Sequence, residues 1–269
     1  MTGAIDQGAD PNGRIVVEQR GHILLIGLDR VPKLNGVSEK MFGELAKAYD
    51  RLEKDPDLRV GVLHAFGPHF SAGIQLDQLQ ERFKAGQHLT PSGHVDPFDL
   101  FPPLRSKPVV AAVQGICFTI TIELMLAADI VIAASDCRFG QIEVKRGIFA
   151  NHGATIRIVE RAGWGNAMRY LLTGDEFDSA TALRLGLVQE VVEPGRQLDR
   201  ALELAGKIAA QAPLAVQTTI TNARRAVLYG YESAALEFGP MQQRLFETED
   251  AVEGVASFKE KRAAVFKGK

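Results

Sequence analysis

No stretch of this 269-residue chain approaches the ~18–20 consecutive apolar residues that a membrane helix needs, so no membrane partner is expected. Charge of neither sign dominates: 31 Lys and Arg stand against 33 Asp and Glu, a formal net charge of −2. Without a basic excess there is little to hold a phosphate backbone, and nucleic acid is excluded as an expected partner. Cysteine is scarce. Cys117 and Cys137 both sit among apolar residues and are expected as buried free thiols of a reducing cytoplasm, a disulfide being the alternative. The six histidines form neither HExxH nor a Cys/His cluster with ligand spacing, so no metal is expected. GxGxxG and GxxxxGK(S/T) are missing, which leaves dinucleotide and P-loop readings unsupported. Ser71 lies in Phe-Ser-Ala-Gly rather than a Gly-x-Ser-x-Gly elbow and reads as a turn residue. Residues 1–13 lack the basic start and apolar stretch of a secretory signal and are too acidic for a transit peptide; they read as a disordered lead-in to a cytoplasmic protein.

What is present is alternation. The runs 14–19 and 23–28 flank Arg20-Gly21-His22, a hairpin signal. Ser38 is the expected N-cap of a helix whose apolar face is Met41, Phe42, Leu45, Tyr49 and Leu52, ended by Pro56. A strand over 60–66 follows, and strand, turn, helix and strand recur over 108–134. Strands and helices joined by short connectors predict an α/β fold with strands covered on both faces. Between them, 78–107 carries many Pro and Gly residues with Phe83, Phe98 and Phe101 interspersed. Such a loop either covers a site or is a plain surface insertion. Beyond 152 the pattern is mostly helical: a helix from Ser179 stopped by Gly186, a strand over 188–192, then helices near 198–211, 213–229, 232–247 and 249–262. This tail has few places to bury its apolar faces alone, and packing between subunits is the expected solution. The division is a lead-in over 1–13, a core over 14–195 and a helical region over 196–269.

Chemistry concentrates at two places. Phe70-Ser71-Ala72-Gly73-Ile74 follows the apolar run 60–63, and Gln114 to Glu123 follows Pro108–Val113. A strand that turns at small residues into a helix points free N–H groups outward, and two such ends facing one point stabilise an oxyanion. Glu123 and Glu143 lie just downstream of these places. Glu123 could be a first-turn acid favoured by the helix dipole. Its neighbours Ile122, Leu124, Met125 and Leu126 instead suggest a carboxylate kept in apolar surroundings because it is used. Glu143, in Gln-Ile-Glu-Val, could equally be an exposed strand residue.

Phe70-Ser71-Ala72-Gly73, the Lys107-Pro108…Gly115…Ile122-Glu123-Leu124 block and Phe139-Gly140-Gln141-Ile142-Glu143 resemble the crotonase (enoyl-CoA hydratase/isomerase) superfamily. Leu28 to Asn35, Ala182 to Val188 and Thr248 to Arg262 extend the resemblance over roughly 14–268, in order. The twenty residues between Glu123 and Glu143 match the spacing of the hydratases' catalytic glutamates. The resemblance implies a superhelical spiral of β-β-α units with a C-terminal trimerisation region, a homotrimer or hexamer. It implies a lyase of fatty acid metabolism, adding water to a trans-2-enoyl-CoA thioester with no cofactor beyond the CoA that is part of the substrate. The loop over 78–107 would then border the acyl pocket.

By the same resemblance, the N–H groups of Ile74 and Ile120 would hold the thioester oxygen, Glu123 would deprotonate water for attack at Cβ, and Glu143 would protonate Cα. Main chain near Lys33 and Ala72 would hold CoA, with Arg30 and Lys33 facing phosphates and Phe258 and Lys261 at the nucleotide end. Three departures stand out. Thr119-Ile120-Thr121 replaces the usual glycines, Gln75 replaces an aspartate, and Phe149 to Thr155 replaces a Gly-rich run. Because β-branched residues resist positive φ, either 119–121 keeps ordinary negative φ, with Ile120 bordering the acyl pocket, or the oxyanion hole is deformed; the first is expected. An isomerase, which needs one base, and a non-catalytic acyl-CoA-binding paralogue are the rival readings; retention of both glutamates favours the hydratase.

Overall fold

The computed structural model describes residues 10–269, the side chains of Asp77 and Gln78 excepted. Residues 1–9 of the expected lead-in lie outside the described residues. Its last residues are fastened rather than disordered. Arg30 donates from Nε and Nη2 to the Pro11 carbonyl (2.9 and 2.7 Å), and Ser38 Oγ donates to the Asn12 carbonyl (2.6 Å).

Strands β1 (Arg14–Arg20) and β2 (Ile23–Asp29) form the expected antiparallel hairpin around Gly21. Helix α1 (Glu39–Lys54) is capped by Ser38 Oγ, which accepts from the Met41 N–H. Its five expected apolar side chains are all buried, and each such side chain contributes about 1.5–3 kcal/mol over exposure. Then come β3 (Val60–Ala65), α2 (Leu76–Lys84), β4 (Val109–Val113), β5 (Ile116–Phe118), α3 (Ile120–Ala127), β6 (Ile130–Ala134) and β7 (Arg138–Gly140). Helices α4 (Ala154–Ala162) and α5 (Trp164–Thr173), β8 (Glu176–Asp178), α6 (Ser179–Arg184), β9 (Glu190–Val192) and α7 (Gln197–Ala209) complete the core. The tail holds α8 (Pro213–Tyr229), α9 (Tyr231–Ala235), α10 (Phe238–Phe246) and α11 (Glu249–Glu260).

Three expectations need correction. The irregular stretch begins with a helix, because Leu79 and Phe83, four apart, share one face against the core. Ile116-Cys117-Phe118 is a strand whose pairing with β7 outweighs its brevity. The single helix expected over 232–247 is two. Pro240 lacks an N–H and its ring conflicts with the carbonyl four residues back, so the break falls at Leu236-Glu237.

The main sheet runs β1-β2-β3-β4-β6-β9, parallel from β2 onward, and a smaller sheet runs β5-β7-β8. Alternation along β4 divides the core. Val109, Ala111 and Val113 join the cluster that includes α1, while Val110 and Ala112 face Ala201, Ala205 and Ala209 of α7. Alanines spaced by four let α7 approach the sheet closely. Among the described residues, no helix is long and apolar enough to cross a membrane.

Two sets of backbone contacts position the site. Residues 70–71 lie alongside 114–118: Phe70 N–H donates to Gln114 O (2.7 Å), Ser71 N–H to Ile116 O (2.9 Å) and Phe118 N–H to Ser71 O (3.0 Å). Around Asp99, Arg157 of α4 donates to the Phe98 and Asp99 carbonyls, and Arg224 of α8 donates to Asp99 Oδ2 (2.6 Å) and the Arg105 carbonyl (2.9 Å). Buried Arg105 in turn pairs with Asp129 at 2.7 Å, at the head of β6.

Gly115 makes the first set of contacts possible. Its φ is +53°, and a Cβ there would collide with the Pro68 carbonyl. Gly115→Ala is therefore expected to destabilise the protein by about 3 kcal/mol or more in a urea melt, with loss of any activity on the same titration. Unchanged stability would show that 70–71 and 114–118 can separate without cost.

Candidate active site

Gly73 is held on one side by Ser71, whose Oγ accepts from the Gly73 N–H (3.0 Å) and donates to Asn35 O (2.8 Å). On the other, Val37 N–H donates to Gly73 O (2.8 Å) and Gln75 N–H to Val37 O (3.1 Å). These bonds turn the intervening Ile74 N–H away from its neighbours. Ile120 is the first residue of α3, where N–H groups have no partner within the helix. Among the described residues, neither the Ile74 nor the Ile120 N–H finds an acceptor. The segments that carry them meet: a Cβ added at Gly73 would strike Thr119 Oγ1. Two unpartnered amides on adjoining backbone can receive one oxygen.

Glu123 lies within α3, 1% exposed. Its Oε1 accepts from the His152 N–H (2.7 Å) and the Ala154 N–H (3.0 Å), the residues that open α4. Burial raises its pKa above the ordinary value, and the two amides oppose that shift. Glu143 opens a 3-10 turn over Glu143–Arg146, not a strand, and is 9% exposed. Its Oε2 is enclosed with no partner. Loss of solvent, helped by repulsion from the nearby Glu123 carboxylate, pushes Glu143 up to about 7. The structure thus brings the two carboxyls together in one dry place. Gln141 sits there with both amide atoms enclosed and unpartnered.

The expectation of negative φ through 119–121 fails at its first residue. Thr119 adopts φ +53°, ψ −128°, a glycine-favoured conformation that costs a β-branched residue about 1–3 kcal/mol. Its backbone is held by Thr119 N–H donating to Gly140 O (2.9 Å), and its Oγ1 is enclosed without a partner. Thr121 has no positive φ, and its hydroxyl donates to Phe118 O (2.7 Å). The Ile120 side chain packs in the main core.

The expected CoA contacts are dispersed. Arg30 is buried, with its guanidinium bonded to the Pro11 and Gly36 carbonyls, so it braces a loop and faces no phosphate. Lys33 is exposed on the neighbouring 3-10 turn. Ala72 donates its N–H to Leu34 O (2.9 Å), leaving its carbonyl free. Phe258 and Lys261 lie exposed at the end of α11, outside the glutamates' surroundings.

His152 drew no role from the sequence, because its contribution is a backbone N–H. Its ring packs 4.7 Å from Phe98, and burial pushes its pKa down to about 4, so the imidazole is neutral. It is also the one residue of this site that lines a cavity of about 660 Å³ bounded by Arg82, His88, Thr90 and Phe101. Cys117 and Cys137 are free, and burial raises both thiols, Cys137 to about 12, so neither is a nucleophile.

Residues 18–269 match the family described as "Enoyl-CoA hydratase/isomerase", and the chain belongs to it. Its fold is the crotonase fold. A probable enoyl-CoA hydratase/isomerase from Mycobacterium abscessus superposes with a TM-score of 0.92 at 45% identity, covering 95% of this chain and 98% of that one. An enoyl-CoA hydratase of Mycobacterium tuberculosis is 33% identical over 94% of this chain and 96% of its own. An (E)-benzylidenesuccinyl-CoA hydratase of Thauera aromatica is 32% identical over 94% and 99%. A carnitinyl-CoA dehydratase of Proteus mirabilis is 33% identical over 93% and 97%.

The raised pKa of Glu143 has a measurable sign. Between the ordinary 4.5 and about 7 the folded state holds a proton that the unfolded chain releases, so stability falls as pH rises through that window. Glu143→Gln removes the loss and is expected to be more stable than wild type at pH 8, by up to about 3 kcal/mol, and near parity at pH 5. Urea melts giving equal differences at both pH values would show that Glu143 ionises without penalty.

Proposed function

We propose that this protein is an enoyl-CoA hydratase adding water to a trans-2-enoyl-CoA. The observation that carries the reading is a pair of buried carboxyls, one oxygen of Glu123 bonded by two amides and one of Glu143 enclosed without a partner among the described residues, beside two unpartnered amides. The thioester oxygen would accept from the Ile74 and Ile120 N–H groups, which take up enolate-like charge without rearranging. Glu123, oriented by the His152 and Ala154 amides, would as its carboxylate form take a proton from water as the water oxygen bonds to Cβ. Glu143, protonated below about 7, would give its proton to Cα. The water hydroxyl goes to Cβ and its proton to Glu123, the Glu143 proton goes to Cα, and a proton passed from Glu123 to Glu143 through solvent resets the pair, so the scheme calls for no separate cofactor. The double-bond isomerase is the second reading. It needs one carboxylate only, and the enclosure of both favours hydration.

The acyl tail would run past His152 into the cavity, and CoA would lie along Lys33 and the free Ala72 carbonyl. Relatives named for carnitinyl-, benzylidenesuccinyl- and enoyl-CoA support a CoA thioester as substrate. Buried free thiols fit a reducing cytoplasm. The tail helices support a homotrimer or hexamer: α8 and α10 have no fully buried residue, and Val227, Tyr229, Phe238 and Phe246 are each more than half exposed. Phe258 and Lys261 would then complete the nucleotide end of a neighbouring subunit's site.

Glu123→Gln and Glu143→Gln are each expected to lower kcat for hydration about 10²–10⁴-fold, with little change in CoA-ester affinity. The assay is a panel of 2-enoyl-, 3-enoyl- and 3-hydroxyacyl-CoAs scored for hydration, isomerisation and thioester hydrolysis. The wild-type kcat/KM should fall above pH about 7 as Glu143 ionises. Isomerisation surviving in Glu123→Gln while hydration vanishes would favour the isomerase, and full hydration in either variant would refute the two-carboxylate scheme.

Sedimentation is expected to give three or six subunits. A stable monomer at micromolar concentration would overturn the shared nucleotide end.

A further inference from the structure

The Thr119 hydroxyl has no part in the two-carboxylate scheme. We propose that Thr119 Oγ1 is a third hydrogen-bond donor to the thioester oxygen, beside the Ile74 and Ile120 amides. The inference rests on the acyl-CoA reading of the site.

Three observations carry it. The first is place. Gly73 immediately precedes Ile74, and Thr119 immediately precedes Ile120, so the two free amides belong to the peptide units that these residues begin. Thr119 Oγ1 lies where a Gly73 side chain would be, at the seam between those units. The second is satisfaction. The hydroxyl is enclosed and has no partner, whereas Thr121, two residues on, donates to Phe118 O. Buried hydroxyls are nearly always bonded, and one that is not bonded within the protein calls for an explanation, a role toward a bound substrate being one. The acceptor the scheme brings to this seam is the acyl oxygen. The third is backbone. A threonine at φ +53°, ψ −128° is held there by its surroundings, through the Thr119 N–H bond to Gly140 O and the helix that starts at the next residue. The hydroxyl is therefore delivered to the seam by a fixed backbone. A hydroxyl donor on an oxygen that gains charge acts more strongly in the transition state than in the ground state.

The test uses Thr119→Val, which keeps the β-branch and removes the donor, and Thr119→Ser, which keeps the donor. The probe is hexanoyl-CoA labelled with carbon-13 at the carbonyl, which has no double bond to hydrate; its infrared C=O band reports polarisation without turnover. In the wild type the band should move to lower frequency on binding. In Thr119→Val the shift should shrink, and kcat with crotonyl-CoA should fall about 10- to 100-fold at a KM within threefold of wild type. Thr119→Ser should restore both, which separates loss of the donor from a folding defect. Wild-type band position and kcat in Thr119→Val would overturn the proposal, the acyl-CoA reading surviving. A Thr119→Val enzyme faster than wild type would also overturn it, showing that the hydroxyl obstructs the oxygen. No band shift in the wild type itself would instead fell the acyl-CoA reading, and this inference with it.

Discussion

The three short hydrogen bonds that join Phe70 and Ser71 to residues 114–118 are the constraint from which the site follows. Each segment alone is a strand end with loose amides. Bonded side by side, the two ends can no longer move independently, and the Ile74 and Ile120 N–H groups are presented from one surface. Small residues make the approach feasible. Gly115 admits the Pro68 carbonyl, and Gly73 admits the Thr119 side chain. Ser71 then fills the remaining gap with a hydroxyl that both accepts and donates. The main sheet behind this junction, with β3 and β4 buried along their whole lengths, keeps it from drifting.

Desolvation sets the electrostatics. Both glutamates sit where water is excluded, but their neighbours differ. Glu123 receives two amides at the start of α4, which favour its charge. Glu143 has one enclosed oxygen without a partner among the described residues, and its charge is opposed by Glu123. Two groups of one chemical type are driven apart in acidity by what their oxygens can reach. Among the described residues no positively charged side chain bonds to either carboxyl; burial and backbone amides come first in the asymmetry, and the charges of Arg157 and of Glu123 itself add to it.

Much of this was legible before any coordinates. The hairpin, α1 and its cap, and β3 follow from alternation, helical spacing and a serine at a boundary, all local signals. That Glu123 would be drawn inside could be read from the apolar residues around it. Other features are settled by tertiary contacts. Three residues make β5 a strand only because β7 lies beside them. The positive φ of Thr119 runs against residue preference, and it holds because the strand before it and the helix after it leave one path. His152 acts through its N–H, which every residue but proline has, so its side chain was no guide. Arg30 misled in the opposite way: its charge suggested a phosphate, yet its guanidinium serves two carbonyls of its own chain.

The Asp99 junction joins parts of the molecule that are far apart in sequence. Through Arg157 it reaches the helix whose first turn holds Glu123, and through Arg224 it reaches the apolar tail. Phe101, which lines the cavity, is two residues along the same loop. Under the proposed assembly and acyl path, subunit packing and the shape of the acyl space would be mechanically linked by side chains that bypass the main sheet. Substitutions that altered such packing would then shift the acyl wall as well, so assembly and substrate range would evolve together rather than as separate traits.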